Sequence, residues 1–514
     1  MKVGEKVVFN TVVLYSRVII TMLISLVSVP IILKALGASD YGLYNLVAGV
    51  ILMLTFLNAS MHVVTQRYLS VAMGKGDLRH LNSVFNVAIL LHLIIGGTIV
   101  ILFEVCGLFL FDGFLNIEPD RIPAAKIIYQ TLIVSTFFSI VSVPYGALIN
   151  SKEEMLILSI NHIIKDVLKL LLALYLSHTS ADRLILYGMG VAMISIIYTL
   201  ISRTVVKVRY KEFVFKPRTY YDKDVFKSMF SFAGWNTFGA LATIGRNQGI
   251  SIVFNLFYGT IINAAYGVAN QVNSVLSGMT ATFSHSINPQ LMKSKGMENQ
   301  GRLERISMIS SKYAFTMFSL FSMPLIIEMS KVLKLWLGNP PEYTLILAQL
   351  VIILSMVHLF SNGLMSAIQA AGKIAGYQIT MSILILLNIP FSYIILKLGY
   401  SPYYCIGCFI VIECISLVVR LIFAHILAGI SAGKFVKKVI LPTTTTVIVS
   451  SIIPLILHFT FNESLGRVIV VSIAYVLVYI PMVWFFVIEK SEKPMFLNML
   501  NKLFSRKKKN KRNK

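Results

Sequence analysis

Charge is what this sequence has least of. Only 13% of its 514 residues are Asp, Glu, Lys or Arg, where soluble domains carry roughly a quarter. A soluble chain of this length would bury a core and charge its surface, and this one lacks the charges to do so. With 56% hydrophobic residues and a mean hydropathy of +0.78, its solvent is lipid. Acidic residues are scarcer still, 22 against 46 Lys and Arg. Cysteine is nearly absent: Cys106, Cys405, Cys408 and Cys414 all fall in apolar runs. The Cys405–Cys408 spacing would suit zinc or redox chemistry, but no second ligand pair or βαβ context accompanies it, so packing residues are expected. No metal-ligand cluster, nucleophile triad or phosphate-binding glycine loop is present. No cofactor or metal is therefore expected, and no enzymatic role.

What fills the chain instead is apolar runs. A spanning helix needs about 20 mostly apolar residues. Fourteen stretches qualify: roughly 7–33, 43–64, 83–111, 127–149, 156–177, 184–203, 229–256, 262–286, 313–330, 343–370, 377–396, 404–426, 440–460 and 467–488. The first is too long for a signal peptide core of ~7–15 residues and reads as the first span. Lys and Arg set the orientation. With the N-terminus inside, cytoplasmic segments hold 33 of the 46, and the net +24 divides into +22 inside, +1 outside and +1 within the membrane. The reading is an all-α polytopic protein of a bacterial cytoplasmic membrane with both termini cytoplasmic. Its high pI reports topology, and no nucleic-acid partner is expected. The tail, with Arg506 to Lys509 and Lys511-Arg512, reads as an anchor on anionic headgroups of membrane lipids.

The two halves repeat. Tyr41-Gly42, Asn45 and Val47 recur as Tyr266-Gly267, Asn270 and Val272, and Asn10-Thr11 as Asn236-Thr237. The expected organisation is an N-terminal lobe of six spans (1–203), a basic cytoplasmic loop (204–227), a C-terminal six-span lobe (228–430), two trailing spans (431–488) and a polybasic tail (489–514). An even number of spans separates the repeats, so the lobes share one orientation about a pseudo-twofold axis along the membrane normal. Transporters built that way place their substrate path between lobes, near the midplane.

Seven ionisable residues lie deep in spans: Arg17, Lys165, Asp166, Lys169, Arg246, Glu413 and Arg420. Each costs about 2.5–3.5 kcal/mol on insertion scales, so they must pair or line a wet cavity. At ~100° per residue, Asn10, Arg17, Thr21 and Ser28 share one face of the first span. The fifth (Asn161, His162, Lys165, Asp166, Lys169), seventh (Asn236, Thr243, Arg246, Asn247), eighth (Asn263, Asn270, Ser274, Ser277) and tenth (Ser355, His358, Asn362, Ser366, Gln369) carry polar faces too. One such face could be interhelical glue; five read as a hydrated lumen. Arg17 and Arg246 are candidate substrate contacts, with structural pairing as the alternative. Lys165 and Lys169 flank Asp166, where a local ion pair is an equal alternative. Glu413 and Arg420 lie two turns apart and could neutralise a shared partner. Glu104 and Glu328 sit near external span ends, within reach of the interface. Asn45 and Asn270, at matching places in the repeat, join the substrate-binding set with Arg420, and Asp166 and Glu413 are the candidates for ion coupling. Five bases against two acids suit an anion, and Arg forks onto phosphate oxygens.

The stretches Leu36-Gly37-Ala38-Ser39-Asp40-Tyr41-Gly42-Leu43-Tyr44-Asn45, Ser231 to Asn236, Asn247 to Ile250 and Gln369 to Lys373 resemble the polysaccharide transporters. These are the Wzx-like flippases of the MATE-like superfamily, which also includes drug exporters and lipid II flippases. The resemblance covers about residues 7–430. It implies two six-helix lobes, a cationic central cavity and outward flipping of an undecaprenyl-diphosphate-linked oligosaccharide, with polymerase or assembly proteins as partners. The family's cavity arginines carry over loosely, to Arg17 and Arg246, and the thirteenth and fourteenth spans depart from twelve-helix members. The rivals are a MATE-like multidrug or other lipid exporter, which the sign of the deep charges opposes, and a membrane glycosyltransferase or polymerase. The latter would need a sizeable acidic external loop. The largest here, 112–126, holds only Asp112, Glu118 and Asp120, scattered.

Overall fold

The computed structural model describes residues 3–52, 55–110, 117, 119–179 and 181–494. Among them the chain is helical almost throughout, with no strand. The first six stretches occupy α1 (Val3–Leu52), α2 (Thr55–Lys75), α3 (Leu78–Phe109), α4 (Ile122–Ser151), α5 (Met155–Leu176) and α6 (Arg183–Arg209). After the short α7 (Pro217–Tyr220), α8 (Lys223–Gly296) holds the seventh and eighth. The ninth lies in α9 (Gln300–Ile327), which turns into α10 (Met329–Leu337), and the tenth in α11 (Thr344–Leu359) with α12 (Asn362–Ala371). The rest are α13 (Ala375–Leu386), α14 (Asn388–Lys397), α15 (Pro402–Ala428), the single turn α16 (Ala432–Phe435), α17 (Leu441–Thr460) and α18 (Leu465–Met482). Among the described residues, eight spans are long and apolar enough to cross a membrane unaided, and two more qualify as bent pairs, α9 with α10 at 80° and α11 with α12 at 43°. The second, fifth, seventh and eighth stretches fall short of that measure although they are helical. The last three of these carry polar faces, and apolarity is what those faces give up.

The repeat has a local cause. α1 and α8 each contain one residue with non-helical backbone, Gly37 (φ 80°) and Gly259 (φ 67°). A Cβ at either would meet nothing within 4 Å, so the left-handed φ, not crowding, is what demands glycine there. The third span of each half, α3 and α9, is capped by a short polar side chain. Asp77 accepts from the backbone N–H of Arg79 and His80 at 2.9 and 3.1 Å, and Asn299 from that of Arg302 at 2.9 Å. Kink and cap recur at one separation in the chain (259 less 37, 299 less 77). The N–H of His80, then that of Arg79, hold the Asp77 carboxyl below the usual carboxylate range.

The chain divides into two compact units, Asn10–Ala240 and Met1–Phe9 with Leu241–Lys514. In the first, α4 packs against α2, α3 and α6 around buried Ala125, Ile128, Tyr129 and Ile133. One end of it is held by ions: Arg121 pairs with Asp40 and, at 3.0 Å, with Asp182, while Arg183 donates to the Ala35 carbonyl at 3.0 Å. Asp40 of the motif beginning at Leu36 is thus architectural. The 204–227 loop is not slack. Asn82 and Asn86 on α3 each bond its backbone twice, at Glu212 O, Val214 N, Val214 O and Lys216 N, over 2.8–3.0 Å. The start of α8 joins the same unit, with Asn236 donating to Ser60 and Tyr68 bonded to Ser228 at 2.5 Å.

In the second unit the trailing helices α17 and α18 pack on α9. Glu328, at the α9–α10 bend, is 1% exposed. Far from reaching the interface, it accepts from Arg467 Nη2 at 3.0 Å and His458 Nδ1 at 2.8 Å. Mid-way, Tyr479 bonds Ser319 at 2.6 Å. At the other end buried Lys312 donates to Glu492 at 2.7 Å, so the chain just past α18 is pinned and does not yet belong to a tail. The basic residues from Arg506 onward lie outside the described residues.

Orientation is tested by cysteine labelling. Asn116 and Asn510 lie outside the described residues, and Ser294 is fully buried, so labelling at Ser294 would be silent on either side. Met297 and Asn339 are exposed. A membrane-impermeant thiol reagent applied to spheroplasts of a cysteine-free variant is expected to label Asn339→Cys and spare Met297→Cys; labelling of Met297→Cys reverses the orientation.

Candidate functional site

In the first unit, α1, α5 and α6 bring the deep charges of the N-terminal half together. Thr21 on α1 donates to Asp166 Oδ2 on α5 at 2.9 Å. Arg17, one turn earlier, acts electrostatically on Asp166, on Tyr198 of α6 and on His162. Lys165 Nζ lies 5.1 Å from the Tyr198 ring centroid, and the His162 and Tyr198 rings are 5.5 Å apart. Lys169 adds its charge beside Lys165. All four ionic side chains are half-buried, so they keep access to water or a ligand. Arg17 and Lys165 act electrostatically on Asp166, Lys169 stands beside Lys165, and the carboxylate is already held by a hydroxyl. Such a cluster attracts an anion and offers Arg17 as a fork for it. Asn10, on the same α1 face, serves the fold by donating to the Glu153 carbonyl at 3.0 Å.

The second unit treats its deep charges differently. Glu413 on α15 is clamped by Arg420 of the same helix and by His358 Nδ1 of α11 at 2.9 Å. Arg420 Nη1 also donates to Ser361 Oγ at 2.9 Å. Glu413 and Arg420 are 7% and 2% exposed, so each neutralises the other and neither is left for a ligand. The polar face of the tenth span is likewise spent on packing: Asn362 bonds Ser284 at 2.6 Å and Ser366 bonds Asn288 at 2.9 Å. That face is glue between α12 and α8. Asn270 donates to the Tyr266 carbonyl of its own helix at 2.9 Å. Arg246 is half-buried and forks onto the neighbouring Asn247 Oδ1 at 2.8 and 3.1 Å, with no carboxylate partner among the described residues. The Asn45 side chain lies outside the described residues.

Sequence reasoning missed Tyr198, because a tyrosine on an apolar helix gives no local sign that it faces Lys165 of α5 and Arg17 of α1. It also missed the Glu328 and Glu492 clamps, whose partners stand more than a hundred residues away in the chain.

A family model described as polysaccharide biosynthesis protein matches residues 7–295, more than half of the chain. The chain belongs to the polysaccharide biosynthesis protein family. Its fold is similar to that of solved MATE structures. A MATE in complex with MaD3S and an outward-facing multidrug resistance MATE family transporter of the MOP superfamily each show 14% identity and a TM-score of 0.70, covering 83% of this chain and 96% of theirs. A MOP superfamily transporter from Pyrococcus furiosus shows 14% identity at a TM-score of 0.65, with the same coverage. At that identity the likeness is one of fold. No curated protein matches the chain significantly. This member of the polysaccharide biosynthesis family is therefore a multi-pass membrane protein with the fold of MATE-type transporters.

Removing one partner of a buried pair strands the other, at a cost of about 3–5 kcal/mol, whereas replacing both with apolar residues of similar size is close to neutral. In this family member Glu413→Ala is expected to lower the melting temperature in detergent sharply, and Glu413→Met with Arg420→Met to recover most of it. A Glu413→Ala protein as stable as the parent would show that the pair is not structural.

Proposed function

We propose that this protein flips a polyprenyl-diphosphate-linked oligosaccharide from the cytoplasmic to the external leaflet of the bacterial cytoplasmic membrane, by alternating access, with both termini cytoplasmic. One observation carries the reading: Arg17, Lys165 and Lys169 cluster half-buried among apolar helices with Asp166 as their single carboxylate. A cationic site within the membrane selects for an anion, and a diphosphate presents the oxygens that an Arg fork and two ammonium groups bind. Membership of the polysaccharide biosynthesis family supplies the sugar. Arg246, without a carboxylate, is the contact from the C-terminal half, and Arg420 drops out because Glu413 neutralises it. Asp166 is then the acid left for coupling to an inward cation. The sign of the cluster argues against a cationic drug as cargo. For the similar MOP superfamily transporter from Pyrococcus furiosus, the reverse polarity of its binding pocket suggests a different function, so pocket polarity varies on this fold.

A diphosphate carrying about two negative charges gains ~4.6 kcal/mol per 100 mV on leaving a negative interior, at ~2.3 kcal/mol per charge. In proteoliposomes, collapsing the membrane potential is expected to slow flipping more than collapsing a pH gradient, and Asp166→Asn to alter any residual pH or Na⁺ dependence. Arg17→Ala and Arg246→Ala are expected to abolish complementation of a flippase-deficient strain at normal membrane abundance, and Arg→Lys to retain part of it. Normal export by both alanine variants would defeat the reading, as would flipping that ignores voltage but requires an ion gradient.

A further inference from the structure

The trailing helices form a slot against α9 that the transport reading leaves unused. One part of it is a polar cavity of about 370 Å³ lined by Glu304, Arg305, Lys312, Lys434, Lys438 and Glu492. Beside it lies an apolar groove of about 440 Å³ lined by Met317, Leu320, Ile480, Val483, Trp484 and Phe485. The two are neighbours along α9 and the end of α18. Lys312 of the cavity stands one helical turn from Thr316 of the groove, and Glu489 of the cavity follows Ile488 of the groove directly.

The cavity has cation to spare. Its three carboxylates are taken, Glu492 by Lys312 at 2.7 Å, Glu489 by Lys438 at 3.2 Å and Glu304 by Lys434 at 3.5 Å. Arg305 is exposed and forms no ion pair among the described residues. Lys434 and Lys438 are half-exposed or more and each has further N–H donors to offer. Beside the mouth, Lys493 Nζ lies 5.6 Å from the Trp484 ring centroid and 5.7 Å from that of Phe485. An ammonium over a Trp is the arrangement found where a chain meets the headgroup layer.

A wet cationic end beside a dry apolar groove fits an amphipathic anion. We propose that this slot binds an anionic glycerophospholipid of the surrounding membrane, its phosphate on Arg305 with Lys438 alongside and one acyl chain along the groove between α9 and α18. A phosphate ion alone would leave the groove empty, and a zwitterionic lipid would bring its own cation to a site already rich in them. The bound lipid would fill the seam that holds the trailing helices on α9. The inference is independent of the cargo, because it concerns binding and not transport.

The test is native mass spectrometry of the purified full chain in detergent, after incubation with phosphatidylglycerol or phosphatidylcholine of matched chains. Phosphatidylglycerol is expected to be retained in preference, and Arg305→Glu to reduce its retention about tenfold, as loss of a charged hydrogen bond would. Met317→Trp, which fills the groove, is expected to reduce retention of both lipids. Arg305→Glu should keep the parent melting temperature in lipid-free detergent, since Arg305 is exposed, so its lost retention reports binding and not folding. Millimolar inorganic phosphate is expected not to displace the lipid. Equal retention of the two lipids, retention untouched by Arg305→Glu, or displacement by phosphate alone would overturn the proposal.

Discussion

A charge carried into hydrocarbon finds no water to bond, and leaving it unsatisfied costs several kcal/mol. That constraint organises this molecule. In the C-terminal unit it is met chiefly by closing a deep charge on an opposite one, while Arg246 turns to Asn247 instead. Glu413 meets Arg420 and His358, Glu328 meets Arg467 and His458, and Lys312 meets Glu492. These pairs also do mechanical work, because two of the three join the trailing helices to α9. Arg17, Lys165 and Lys169 are the departure. They stand near an Asp166 already held by Thr21, stay half-buried and, like Arg246, form no ion pair among the described residues, which is what marks them as the candidate site.

The same constraint explains how polar faces on helices came to differ in meaning. Asn and Ser on α12 meet Asn and Ser on α8, and Asn270 bonds its own helix. Such groups satisfy one another cheaply, since each is both donor and acceptor. Lys and Arg only donate. A face rich in cations therefore cannot close on itself, and polar faces that look alike as spacing in the sequence separate into seam and site.

Glycine and the helix caps carry the duplication. Gly37 and Gly259 kink the chain where no residue with a Cβ would do so without strain, and Asp77 and Asn299 cap α3 and α9, the third span of each half. Around these shared points the two units diverge. The first closes one end with Asp40, Arg121 and Asp182. The second gathers tyrosines, Tyr258 against Tyr343 and Tyr343 against Tyr403.

The lipid solvent, the helical class, the fourteen apolar stretches, the repeat and the excess of deep cations were all legible in the sequence. Each is a property of composition or of short-range periodicity, which one chain segment carries by itself. The family was legible too, in the residues around Tyr41 and Trp235. Which cations are spent and which are free was not. Arg420 stood two turns from Glu413 and Arg246 alone in its run, yet neither could be read as spent or free, and only packing closes Glu413 and Ser361 on the one and leaves Asn247 to the other. Lys312 read as a loop cation and Glu492 as the start of a tail until α9 and the end of α18 met. Ion pairing acts over a few ångströms in space across more than a hundred residues of chain, so only the tertiary structure could decide it.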